Sequence, residues 1–122
     1  MATELDPATL AGQRCIAVDA STPPLDAEVA RHLSTGLDAA WSLEADRLVR
    51  TLRFSTFGAA FAVATRVALL AEGQGHHPTI EVGWGRLVIV WMTDAIDGLT
   101  GNDFIMAAKV DRMLARGLVP TT

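Results

Sequence analysis

The sequence holds a single cysteine, Cys15, among 122 residues. No disulfide can form within the chain, and a reducing compartment is the default environment. A catalytic thiol is conceivable, but Cys15 lies in an N-terminal stretch without periodic pattern and reads as a bystander. There is no basic run and no interleaving of aromatic with basic residues, and the formal net charge is −4. Both features argue against nucleic acid as a direct ligand, because phosphate contacts need a positive footprint. No long apolar run occurs. The most apolar stretch, residues 57–71, is too short to cross a bilayer and carries Arg66. The opening MATELDPATLAGQR contains acidic residues and no apolar core, so no signal peptide is expected. These absences lead to the expectation of a cytoplasmic protein without membrane contact. Internal repeats and low-complexity tracts are also missing.

What is present fits one small domain. Hydrophobic residues make up 50% and charged residues 20% of the chain, a globular mix. The mean hydropathy, +0.29, is high for a soluble monomer. A short chain buries a limited share of its surface, and surplus apolar surface marks interfaces, so a homodimer or homotetramer is expected.

Residues 1–24 show no period and close on Ser21-Thr22-Pro23-Pro24. They read as an extended or loosely docked arm. The domain proper is expected over residues 25–116, with 117–122 as a tail. Leu25, Val29, Leu33 and Leu37 recur at four-residue steps and predict a helix over 25–37. His32, beside that stripe, reads as solvated. Short strands are expected at 40–43 and 47–55, the second with Leu48, Leu52 and Phe54 on one face, which Arg50 shares. Ser55 or Thr56 can cap a helix over 57–72, whose apolar face is drawn from Phe57, Ala60, Phe61, Ala64, Val67, Ala68 and Ala71. Ile80, Val82 and Trp84 alternate as a strand, Gly85-Arg86 turns the chain, and 87–93 is apolar on both parities. Such a strand is covered on both faces, by helices on one side and a partner subunit on the other. Thr100-Gly101-Asn102-Asp103 resembles a capping box and starts a last helix that ends near Arg116. Paired strands with short turns predict an α+β domain, an antiparallel sheet with helices on one face.

The chemistry-bearing residues cluster in one stretch. His76 and His77 follow a helix end, and Pro78 biases His77 towards extended backbone. Adjacent extended residues point in different directions, so the two imidazoles can approach a ligand from different sides. Histidine suits proton transfer near neutral pH. The tripeptide by itself fits equally well two histidines that are solvated or that cap helix carbonyls. His76, His77 and Asp94 could imitate a two-histidine, one-carboxylate metal set. Neighbouring histidines seldom converge on one ion, and no further ligand cluster is visible, so no metal is expected.

The combination is more specific than its parts. L-x-R-x-L-x-F-x-x-F over residues 48–57, RVALLAE over 66–72, HHP at 76–78 and T-D-x-x-x-GLT-x-x-D over 93–103 together resemble the pterin-4a-carbinolamine dehydratase family. The resemblance implies three helices on one side of a four-stranded antiparallel sheet, and dimers or tetramers. It implies a site in which three histidines surround a pterin with a hydroxyl on C4a. They take a proton from a ring nitrogen and help the hydroxyl leave as water, without metal or organic cofactor. The product is a quinonoid dihydropterin. His76 and His77 match the first two histidines. Pro78 and the turn of Thr93, Asp94, Ala95 and Ile96 match segments that hold the pterin.

The chain departs from the pattern at the third histidine, where it has Asp94. Trp84 stands where the hairpin has tyrosine, and Ile80 replaces an aromatic two residues after the proline. Carboxylic acids titrate near ~4 and are poor general acids at neutral pH. A lost acid/base partner is typically worth ~10² to 10⁴-fold in rate. One reading is therefore a dehydratase-like protein with impaired or lost activity, acting as a binding or assembly factor for a protein client such as RuBisCO in the carboxysome. The alternative is an active 4a-hydroxytetrahydrobiopterin dehydratase that uses His76, His77 and Asp94.

Overall fold

Two hairpins build the sheet of the computed structural model, which describes residues 5–117. Strands β1 (Ser42–Glu44) and β2 (Arg47–Arg53) form the first, β3 (Thr79–Gly83) and β4 (Arg86–Trp91) the second. All pairings are antiparallel, in the order β1-β2-β4-β3, with Leu48 opposite Trp91 and Leu52 opposite Leu87. The second hairpin turns through Trp84 and Gly85. Gly85 has φ 65°, and a Cβ there would stand 2.6 Å from the Phe54 carbonyl oxygen, so only glycine fits.

Helices α1 (Ala27–Ser34), α2 (Phe57–Gln74) and α3 (Gly101–Ala115) lie on one face of this sheet, giving the expected α+β architecture. The Asp26 carboxylate accepts from Val29 N and the Thr56 hydroxyl from Ala59 N, so each of the first two helices starts on a side-chain cap. The core lies between sheet and helices. Leu48, Leu87, Ile89 and Trp91 meet Ala60, Val63, Val67, Phe104 and Val110 there, all fully buried.

Several sequence expectations are corrected. The first helix is shorter than 25–37, and Val29 is 40% exposed although Leu33 is buried. On α2, Phe57 and Phe61 point to solvent, stacked on each other at 6.0 Å between centroids, and Ala68 is exposed. Ala59 and Val63 take their places in the core. A helix this rich in apolar residues all round presents no unique face to choose. Arg50, the polar intruder on the β2 core face, is explained by its partners. Its Nη1 lies 2.6 Å from the Asp111 carboxylate, which also accepts from the indole of Trp41 at 2.7 Å.

The N-terminal stretch is docked more tightly than expected for an arm. Residues Pro7–Gly12 form a 3-10 turn that places Leu10 in the core, 1% exposed. Beyond it, Ile16 N donates to Asn102 Oδ1 and Asn102 Nδ2 donates back to the Ile16 carbonyl, while Cys15 N donates to Gln74 Oε1. The segment thus runs along α3 to the end of α2. Cys15 is half-buried, and burial pushes its thiol up to about 11, against the opposing pull of Lys109. Among the described residues no helix is long and apolar enough to cross a membrane.

Two outcomes follow. Leu10→Ala is expected to cost about 2–5 kcal/mol in denaturant unfolding, the cost of emptying a core site, whereas a loosely held arm would give almost no change. Alkylation of Cys15 by iodoacetamide at pH 8 should run roughly 100-fold slower in the native protein than in the unfolded chain. Its rate should climb as pH rises towards the raised thiol value. Equal rates in both states would contradict the burial.

Candidate active site

The end of α2 delivers both histidines. Gly75 takes the left-handed conformation (φ 67°) that terminates the helix, and the N–H of His76 reaches back to the Ala71 carbonyl. The chain then reverses into β3. The two side chains part company at this turn. His76 goes inward, buried to 7% exposure, and stacks on Trp91 at 5.9 Å between centroids with the rings 10° apart. His77 stays at the surface, its Nε2 2.7 Å from Glu72 Oε1.

The inward histidine is held by Asp103. His76 Nε2 lies 2.7 Å from Asp103 Oδ1, and Asp103 is fully buried. The other carboxylate oxygen accepts from the Thr93 hydroxyl at 2.7 Å and from Thr100 N at 2.9 Å. Thr93 gives its only proton to the carboxylate, so at the 2.8 Å contact between hydroxyls Thr100 is the donor. A carboxylate is an acceptor, so the His76 nitrogen facing it carries the proton. In the neutral ring this leaves Nδ1 as the free acceptor. The carboxylate that closes the capping box of α3 and the orienter of the histidine are thus one side chain.

A pocket of about 160 Å³ opens at this point. His76 and His77 line it with Gly75 from the α2 end. Met92, Thr93, Asp94 and Ala95 form the opposite wall, as β4 runs into the 3-10 turn Asp94–Ile96. Thr93 N and the Gly98 carbonyl close that turn at 2.8 Å. Val18, from the N-terminal segment, completes the rim. Asp94 is exposed, and its carboxylate makes no hydrogen bond or ion pair among the described residues. Of the site residues expected from sequence, His76, His77, Thr93, Asp94 and Ala95 therefore share one pocket. Pro78 and Ile96 are not among its lining residues and serve the backbone on either side of it. Among the described residues no group of three His, Cys, Asp or Glu side chains is placed to hold a metal ion.

Sequence reasoning missed three contributors. Val18 comes from a stretch without pattern, and nothing in its neighbourhood signals the contact. Trp91 reads only as a strand core residue. Asp103 reads as a helix start, and its position at the end of the T-D-x-x-x-GLT-x-x-D pattern was the available signal for a second role.

Comparison with known proteins is consistent along the chain. The family described as pterin 4 alpha carbinolamine dehydratase matches residues 23–113. A protein of Methylococcus capsulatus, provisionally named a pterin-4-alpha-carbinolamine dehydratase, is 42% identical over 113 residues, covering 91% of this chain and 98% of that protein. One of Rubrobacter xylanophilus with the same provisional name is 42% identical, covering 85% and 97%. Among solved structures, a transcriptional coactivator/pterin dehydratase of Brucella melitensis superposes with a TM-score of 0.68 at 26% identity, over 75% of this chain and 98% of that one. A pterin dehydratase-like protein identified as a RuBisCO assembly factor in the alpha-carboxysome gives a TM-score of 0.49 at 23% identity, over 60% and 84%.

The two carboxylates at the histidines should behave differently on removal. Asp103→Ala strands the donors of His76, Thr93 and Thr100 in the interior, and is expected to destabilise the protein by about 2–4 kcal/mol in chemical denaturation. Glu72→Gln touches only a surface pair and should change stability by under about 0.5 kcal/mol. Comparable losses from the two variants would contradict the distinction between a buried anchor and a solvated pair.

Proposed function

The chain belongs to the pterin 4 alpha carbinolamine dehydratase family, and on that premise we propose that its histidine pocket binds a 4a-hydroxytetrahydropterin and dehydrates it slowly. The observation that carries this reading is that His76, held from behind by buried Asp103, lines one pocket with Asp94, which is unpaired among the described residues. The first is the apparatus of a positioned proton-transfer group. The second is a change of chemistry at the position where the family resemblance expects a third histidine.

The reaction needs one base and one acid. A ring N–H loses its proton, the C4a–O bond breaks, a C=N bond forms, and the departing hydroxyl gains a proton to leave as water. Ionised Asp94 has only acceptor sites, so it takes the ring proton. The acid is then a histidine. His76 is the one fixed in orientation: as the imidazolium, protonated on both nitrogens, it passes the Nδ1 proton to the hydroxyl and is left as the neutral ring with Nε2–H against Asp103. His77, bonded to exposed Glu72, exchanges protons with solvent. A carboxylate is a weaker base than an imidazole, which lowers the rate without abolishing it. No metal or organic cofactor enters this scheme. The exposed Phe57 and Phe61 support a homodimer or homotetramer, with a second copy covering them.

The test is the rate on 4a-hydroxytetrahydropterin of the native protein beside Asp94→His. The native protein should exceed background, and the variant should be faster by ~10²-fold. A native protein faster than the variant would overturn the assignment of slow turnover to Asp94. If both are inert, the pterin reading fails, and a protein client, RuBisCO in the carboxysome for instance, becomes the one to test.

A further inference from the structure

The second cavity lies on the other flank of α2, where that helix meets α3. It measures about 370 Å³, within the size range of small-ligand sites and larger than the histidine pocket, with which it shares no lining residue. Arg66, Lys109, Arg112 and Arg116 line it together with Leu69, Leu70 and Met113. Among the described residues no carboxylate does. In a chain with 14 acidic and 10 basic residues, this gathers four of the ten basic ones at one cleft.

Among the described residues those charges lack counter-charges. The arginines in ion pairs are Arg47, Arg50 and Arg86, so among the described residues none of the three cleft arginines is paired. Lys109 is buried to 7% exposure, and its Nζ donates to a backbone carbonyl, that of Ala11, at 2.9 Å. The negative end of α3 accounts for Arg112 and Arg116, which sit in its last turn and at its cap. It does not account for Arg66, in the middle of α2, or for Lys109, which lies more than a turn before the end of α3. Burial above all, then the charges of Arg112 and Arg14, lower Lys109 below the ordinary lysine range. Beside the cations, Leu69 is 67% exposed, an apolar wall left in water.

We propose that this cleft binds a small organic dianion, a phosphorylated molecule with an apolar body. The anionic group sits among Arg66, Lys109 and Arg112, where it neutralises a cluster of like charges. Guanidinium groups suit phosphate because they donate in a planar fork. The apolar body covers Leu69 and Met113. A ligand of this kind bridges α2 and α3 without touching the histidines, so the cleft acts as a second site.

The experiment is a titration of the full chain with 1-naphthyl phosphate and with inorganic phosphate, followed by calorimetry and by amide NMR shifts. The expected result is saturable binding of 1-naphthyl phosphate, at least ~10-fold tighter than inorganic phosphate, with shifts on α2 and α3 around residues 66 and 112. Arg66→Gln combined with Arg112→Gln should weaken it by ~10-fold or more. Both positions are exposed, so the fold should persist, and the NMR spectrum reports that directly. Asp94→His should bind as the native protein does. Absence of saturable binding, shifts confined to the histidine pocket, equal affinity for the two probes, or full affinity in the double variant would each overturn the proposal.

Discussion

A buried carboxylate at the start of α3 ties the domain together. Asp103 has no exposed surface, and burial of an unpaired charge is strongly unfavourable. Its position is tolerable because three donors converge on it from three places: His76 after α2, Thr93 after β4, and the cap residue Thr100 of its own helix. The positive end of α3 adds to the same balance. Each donor is itself buried, so none can turn to water instead. The network therefore fixes the mutual placement of the α2 terminus, the β4 exit and the α3 start. Those are the elements that form the pocket, so fold and site rest on the same bonds.

The rest of the architecture brings those elements within reach. Antiparallel pairing of β2 with β4 sets Trp91 opposite Leu48, and Trp91 in turn supplies the flat surface on which the His76 ring lies. The left-handed Gly75 turns the chain so that His76 faces inward and His77 outward. The docked N-terminal segment adds Val18 as a rim and reaches α3 through Asn102, the neighbour of Asp103. Helix α2 thus carries two different chemistries, a titratable pocket at its end and a cationic cleft along its flank.

Much of this was legible in the sequence where a local rule decides it. The β3–β4 hairpin follows from alternation and a turn glycine, although the turn falls at Trp84–Gly85 and not at Gly85-Arg86, and the α2 start follows from Ser55-Thr56, of which Thr56 is the cap. The α3 start follows from the Thr100–Asp103 pair. What was not legible depended on distant contacts. The outward turn of Phe57 and Phe61 is set by which alanines approach the sheet, and a helix apolar all round does not announce it. Leu10 and Val18 gain their roles only by packing against residues some tens of positions away. Arg50 looked like an error in a strand pattern until Asp111, sixty-one residues on, supplied its partner. The clustering of His76, His77 and Asp94 could be suspected from a family pattern. That Asp103 would reach His76 could not, because a capping aspartate needs only its own helix to explain it.

Asp103 holds His76 with Nε2 protonated, which leaves Nδ1 as the free acceptor of the neutral ring. Nitrogen-15 chemical shifts of the His76 imidazole measure this directly. The neutral ring should appear as the Nε2–H tautomer in the native protein and lose that preference in Asp103→Ala. A native His76 found as the Nδ1–H tautomer, or averaging freely between the two, would contradict the account.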